Sequence, residues 1–360
     1  MTEEPDPHIR RNFLPGRFVI AALASCSAAL CSANPPRFCV PPQCAADQQP
    51  TEPSSGAAGG TVGPRRKCGL VEVPHEQLSD AWWTGPMLAA SADTLPRGHG
   101  LIEPYLFDIR TDASDHFANL TYLLYGLSNR LSVGLITVGG FVVPHHSKAT
   151  APAIGDTTLL TQYRLVRFGE HGFPATVSLV LQDSLPTGAF DRLGSRAVAG
   201  VGSGAHSRQL ALYLQTYLWL PNGRILRLRL DAGHTLPSRA RPQGESVYGT
   251  PANFRGVARR GSADVIDTSF EYSLSKRLVI AWEMAWQHSG KTRVAGLVPT
   301  AVGTSVYVAA LPGNDSVYLA PAVEYSWRPN LGVLIGLRLS PKGHDAPSSV
   351  TPALALNWVL

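Results

Sequence analysis

From Leu101 to Leu360 the chain repeats one unit: a segment of about ten residues alternating in polarity, then a link. Such segments lie near 101–110, 118–127, 131–142, 156–167, 174–184, 208–220, 223–234, 263–274, 277–288, 316–327, 331–340 and 349–360. The links constrain the fold most. Tight turns, "SNR" (128–130), "GEHG" (169–172), "PNG" (221–223), "SK" (275–276) and "RPN" (328–330), alternate with long links near 111–117, 143–155, 185–207, 235–262, 289–315 and 341–348. Short links at one end and long links at the other, with an even strand number, describe a transmembrane barrel. The sequence therefore predicts an all-β fold over 99–360: a transmembrane antiparallel up-and-down β-barrel of about 12 strands. Its first and last links are long, so both ends of the barrel fall on the short-turn, periplasmic side. The stretch "GTSVYVAAL" (303–311) also alternates. Counted as a crossing it would make the strand number odd, so it is read as a hairpin extension outside the membrane with "PGND" as its turn.

The faces agree. In 208–220 Leu210, Leu212, Leu214 and Leu218 oppose Gln209, Tyr213, Gln215 and Tyr217; in 277–288 Leu278, Ile280, Trp282, Met284 and Trp286 oppose Ala281, Glu283, Ala285 and Gln287. A soluble sandwich would show the same alternation. Leu-rich and aromatic outer faces, long segments and a preceding export signal favour lipid, and Tyr125, Trp219, Trp286, Tyr325, Trp327 and Trp358 near segment ends suit interfacial girdles. The final "VTPALALNWVL" keeps a strict period of two. A barrel has no free edge, so such a last strand is expected to pair with the first. Its alternate places, held by Trp358 and Leu360, are those read by the barrel assembly machinery, with Leu360 where a Phe is usual.

Only 16% of the 360 residues are charged, and 34 Gly and 29 Pro indicate many turns. The formal net charge of +5 comes from scattered arginines without a dense basic run, so nucleic acid is not an expected partner. Past the N-terminus no apolar run approaches the roughly 20 residues of a membrane helix. Residues 1–33 read as an export signal: Arg10, Arg11 and Arg17 precede "FVIAALASCSAAL". Cleavage after Ala33 is one reading; "LASC" offers another, a lipoprotein signal ending at Cys26. Residues 34–98 read as a Pro/Gly-rich linker and a periplasmic segment, with one short helix near Glu76–Trp83 that Asp80, Trp82 and Trp83 could dock. All five cysteines sit at or before Cys68, so disulfides cannot hold the main domain, and the pairing of Cys39, Cys44 and Cys68 stays open.

"FANLTYLLYGLSNRLSVGL" (117–135), "GDTTLLTQYRL" (155–165) and "FPATVSLVLQDSLPTG" (173–188) resemble the outer-membrane transporter family named for the meta-pathway of phenol degradation. The resemblance spans roughly 100 to 360, and its motifs are structural. It implies a bacterial outer-membrane barrel, surrounded by outer-membrane lipids, that passes small, aromatic or hydrophobic solutes.

Chemistry is expected in the interior. By alternation Glu103, Arg164, Arg227, Arg229, Asp231, Asp267, Glu271, Glu283, Glu324 and Arg338 line the lumen, with Asp156, Gln162, Gln182, Gln209 and Gln215. They form either a charged constriction that selects solutes or an ion-pair network that fills a narrow barrel. A structural or plugged barrel is the alternative function. A phospholipase-like hydrolase is the weaker one, because "HHS" (145–147) and "QHS" (287–289) sit in no recognisable nucleophile motif. No catalytic residue, metal site or cofactor is expected. "VAGVGSGAHS" (198–207) lacks the ending of a phosphate loop and reads as a flexible outer loop. Arg239, Arg241, Arg255, Arg259 and Arg260 crowd the link 235–262. A solvated loop is the plainer reading, and attraction to anionic outer-leaflet headgroups the other.

Overall fold

A computed structural model describes residues 75–194, 200–301 and 303–360. The signal, the linker and all five cysteines, Cys26 included, lie outside the described residues. The strands in chain order are β1 (Gly100–Arg110), β2 (Ser114–Ser128), β3 (Leu131–Pro144), β4 (Ala153–Ile154), β5 (Thr157–Val166), β6 (Thr176–Leu185), β7 (Ser207–Trp219), β8 (Ile225–Pro237), β9 (Arg239–Ala240), β10 (Arg255–Arg259), β11 (Ala263–Ser273), β12 (Leu278–Ser289), β13 (Thr292–Thr300), β14 (Gly303–Leu311), β15 (Asn314–Arg328), β16 (Leu331–Ser340) and β17 (Ser349–Val359).

Twelve of them, β1, β2, β3, β5, β6, β7, β8, β11, β12, β15, β16 and β17, form a closed antiparallel barrel. Closure is the pairing of β17 with both β16 and β1, in which Ala355 lies opposite Tyr105 and Trp358 opposite Ile102. The Gly100 amide donates to the Leu360 carbonyl at 3.1 Å and the Leu360 amide returns the bond at 2.8 Å. The strict alternation of the last strand is thus the alternation of a wall with two neighbours and two different faces. All five tight turns lie at one end of the barrel. In "PNG" the left-handed Gly223 (φ 78°) folds the chain back, and the Leu220 amide reaches the Arg224 carbonyl at 2.9 Å.

Outside, the belt is apolar: Leu210, Met284 and Ile335 are 51%, 52% and 61% exposed, on strands whose inward residues are buried. Exposed aliphatic side chains around a closed sheet cannot be a soluble surface, so this belt faces lipid. Its long-loop edge is marked by a polar row on four adjacent strands, where His234, Asp264, His288 and Asp315 lie directly opposite one another. His234 Nδ1 is 2.6 Å from Asp264, and His288 Nδ1 is 2.9 Å from Asp315.

Beyond that row β8, β11, β12 and β15 continue into a four-stranded sheet in the order β14-β13-β10-β9. Residues 303–311 do form a hairpin outside the barrel, but with β13, where Gly303 lies opposite Thr300, and not about "PGND". Asn314 and Asp315 instead open β15, because Asn314 pairs with Ser289 and carries the barrel ladder onward. One face of this sheet joins the loops in a second apolar core around Tyr248, Phe254, Ala240, Ala258 and Val294. Burial pushes the Tyr248 phenol up to about 12, and its hydroxyl donates to the Ser203 carbonyl. The glycine-rich link is closely packed where described: a Cβ on Gly202 would come within 2.1 Å of the Gly188 carbonyl oxygen.

Candidate functional site

The lumen is filled by the chain's own residues 84–95. The segment begins at the short-turn end, where the Glu76 amide donates to the Gly223 carbonyl (2.8 Å) and the Trp219 indole to the Glu76 carbonyl (2.7 Å). The expected helix there is a single 3₁₀ turn, Leu78–Asp80. Asp80 pairs with Lys276 at 3.3 Å, the Trp82 amide bonds the Lys276 carbonyl at 2.9 Å, and Trp83 lies 4.4 Å beneath the Arg227 guanidinium.

From Thr84 the backbone enters the barrel and is held by carboxylates. Glu324 Oε2 accepts from the Thr84 amide (2.8 Å), the Thr84 hydroxyl (3.0 Å) and the Gly85 amide (3.1 Å). Gly85 is left-handed (φ 106°), which bends the chain so that successive amides converge on one oxygen. Glu283 receives the next three amides: Met87 at 2.6 Å, Leu88 at 2.9 Å and Ala89 at 2.6 Å. Asp231 takes the Ala90 amide at 3.0 Å, and Arg229 donates to the Ala89 carbonyl at 2.9 Å. These are charge-assisted bonds to backbone groups that would otherwise be buried unpaired.

The segment then crosses to the other wall. Gln162 donates to the Ser91 carbonyl (2.8 Å), Ser178 to the Ala92 carbonyl (2.6 Å) and Arg164 to the Asp93 carboxylate (2.8 Å). It leaves at the end where it entered: the Leu95 amide bonds Ser132 Oγ and the Arg97 amide bonds Asn129 Oδ1, beside the β2–β3 turn. Met87 and Ala92 are buried with Tyr105, Phe107, Leu120, Ile136, Leu160 and Val180 of the barrel wall. On the other side small inward residues make room. Cβ atoms on Gly332 and Gly336 would come within 2.1 Å of Thr84 and 2.4 Å of Met87.

Of the ten residues proposed from sequence to line the lumen, nine are buried, and the tenth, Glu103, is partly so. They do not form one ring. Arg227 and Arg229 both grip Glu271, through Arg227 Nε at 2.8 Å and Arg229 Nε at 2.9 Å. Asp231 lies directly opposite Asp267. Glu103 accepts from Asn357 at 2.9 Å, and Asn357 also donates to the Thr84 carbonyl. Arg338 stands apart, above the inserted segment, 5.2 Å from the Tyr318 ring and 5.7 Å from Phe107. Of the five further polar residues, Gln162 holds the segment, Gln215 meets Ser91 at 3.3 Å, Gln182 meets Tyr213 at 3.4 Å and Gln209 is buried. Asp156 instead ties the outer loops through Gly188 and Ser203.

Residues 84–95 were not legible as a lumen element. Their one sequence trace is indirect: inward positions of the last strands are small, Ala353, Ala355, Gly332 and Gly336, as if space were reserved. The histidine motifs separate from their serines. His145 turns to Asp115 at 3.5 Å and His288 to Asp315, while a Ser114–His116 contact of 2.8 Å has no partner at His116 Nδ1 among the described residues. No three His, Cys, Asp or Glu side chains among the described residues gather to hold a metal ion.

No protein-family model and no curated protein sequence matches the chain. Solved structures do. The crystal structure of an outer-membrane channel from Pseudomonas putida F1 is 14% identical, with a TM-score of 0.55, over 75% of this chain and 98% of that one. The NanC porin is 10% identical with a TM-score of 0.42, over 71% of this chain and 98% of that one. The first likeness establishes the fold, that of an outer-membrane β-barrel.

Proposed function

We propose that the protein is an outer-membrane channel for small solutes, closed at rest by residues 84–95. The observation that carries this reading is how the segment is held. Its amides rest on Glu324, Glu283 and Asp231, and both its ends leave at the short-turn end of the barrel. A segment so threaded can withdraw toward the periplasm without opening a strand pair. What it would vacate is a lumen with one charged and one apolar wall, lined by Tyr105, Phe107 and Tyr122. That aromatic wall, with the family resemblance, supports small aromatic or hydrophobic solutes as cargo. The paired Arg227, Arg229 and Glu271 serve here chiefly as a staple of the wall, because each charge already has its partner.

The test is conductance in planar bilayers of the full chain and of a variant lacking residues 84–95. The full chain should show small or rare openings and the variant a larger, sustained conductance. Equal conductance from two correctly folded proteins would replace this reading with that of a barrel without transport. Assembly is expected to depend on the closing strand. Removing Trp358–Leu360 takes away the Gly100–Leu360 bonds and should leave unassembled periplasmic material.

A further inference from the structure

Three arginines on neighbouring strands of the outer sheet stand in one row. Arg259 of β10 lies directly opposite Arg239 of β9 on one side and Arg293 of β13 on the other. Like charges placed opposite each other across a sheet are destabilising. Elsewhere on this protein's rim such positions carry opposite charges: Asp183 faces Arg208, and Arg110 faces Asp115 and pairs with Asp108 at 2.6 Å. Arg239, Arg259 and Arg293 are all exposed, and none has a carboxylate partner among the described residues. Arg241 and Arg255, also exposed, extend the patch. Arg260, from the same link, is different: it donates to Ser207 at 3.1 Å.

The direction of the row narrows the partner. Ala240, Ala258 and Val294, the alternate residues, are fully buried in the loop core. That core is tied to the mouth of the barrel, through Arg260 to the inward Ser207 and through Ser203 to Asp156. The arginines occupy the opposite face, turned away from the mouth and toward the surrounding leaflet. Their height narrows it further. The row lies five residues beyond the His234–Asp264–His288–Asp315 row that edges the lipid belt, about 17 Å along the strands at ~3.4 Å per residue. Its own width, two strand spacings or about 10 Å, exceeds one small anion. A row of that height and width suits a headgroup that carries its anionic groups well above the acyl boundary.

We propose that Arg239, Arg259 and Arg293 bind the phosphates of a phosphorylated glycolipid, a lipopolysaccharide of the surrounding outer leaflet. Its sugars carry anionic groups well above the acyl boundary, where arginine forks can take them in bidentate fashion. Bound phosphate would turn the repulsive row into a neutralised one, so the lipid would stiffen the outer sheet as well as anchor it.

The full-length protein, folded in detergent, is titrated with phosphorylated lipopolysaccharide, its dephosphorylated counterpart, phosphatidylglycerol vesicles and inorganic phosphate. Changing Arg239, Arg259 and Arg293 together to alanine should weaken lipopolysaccharide binding by about tenfold or more. Arg110→Ala, which removes an arginine already paired, should leave it unchanged. Dephosphorylated lipopolysaccharide should bind the wild type as weakly as the triple variant binds the intact lipid. Full affinity in the triple variant overturns the proposal. So does competition by inorganic phosphate, which would mark a small-anion site, or equal discrimination by phosphatidylglycerol, which would mark an ordinary headgroup site. A single Arg259→Glu change guards against misfolding as the cause. It should raise the thermal midpoint of the detergent-folded protein, by breaking the like-charge row, while lowering lipid affinity. A fall in both would make the row purely structural.

Discussion

On the β8–β11–β12–β15 side of the lumen, carboxylates take successive amides of the inserted segment, three of them on Glu283 alone. On the β1–β6 side Tyr105, Phe107, Leu120, Ile136, Leu160 and Val180 meet the same segment mainly with apolar surface. The first wall acts by direction. An amide must find an acceptor at hydrogen-bond distance, and a buried charge must find its counter-charge. The second acts by volume, and its contacts survive a change of shape if the space stays filled. The first half of the segment, Thr84–Ala90, is therefore positioned by carboxylates of one wall, while the other wall packs Met87 and Ala92 with hydrocarbon and adds its own bonds at Ser91, Ala92 and Asp93. A wall of charges alone would carry a heavy desolvation cost, and a wall of hydrocarbon alone would leave the segment free to slide.

This contrast can be broken most severely at the ion pairs. Changing Arg227 and Arg229 together to alanine strands Glu271, which is fully buried; the expected loss is about 3–5 kcal/mol in urea unfolding of the detergent-folded barrel. Unchanged stability would mean that solvent reaches Glu271. Next comes Glu283→Ala, which leaves the Met87, Leu88 and Ala89 amides without their acceptor. The segment should loosen by about 3 kcal/mol, read as faster labelling of a cysteine placed at Ala89, while the barrel remains folded. Glu283→Gln should recover only part of this, since its amide nitrogen turns a donor toward donors. On the other wall Leu160→Ala should cost about 2–3 kcal/mol by leaving a cavity. Leu160→Met, which keeps volume, should cost under about 1.5 kcal/mol. If the methionine costs as much as the glutamine, the distinction between the walls fails.

Much of the barrel was legible because its determinants are local. A period of two needs only the residues of one strand, and a tight turn such as "PNG" or "RPN" only its own few residues. Strand number and closure through the last segment follow from those. The hairpin at 303–311 shows the limit. Alternation announced the strand, but the choice of partner, β13 in place of a strand after "PGND", depended on a ladder continued from β12 and β15.

What the sequence by itself determined is therefore the wall: where its twelve strands run and that the last of them closes on the first. What the tertiary structure alone decided is what the wall encloses and presents. Residues 84–95 carry no period, because their hydrogen-bonding groups are satisfied by side chains far away, Glu324 being 240 residues from Thr84. The row of Arg239, Arg259 and Arg293 likewise exists only once three strands lie in register. A one-dimensional pattern records the neighbours a residue has along the chain. The filled lumen and the arginine row are made of neighbours that arise when the sheet closes.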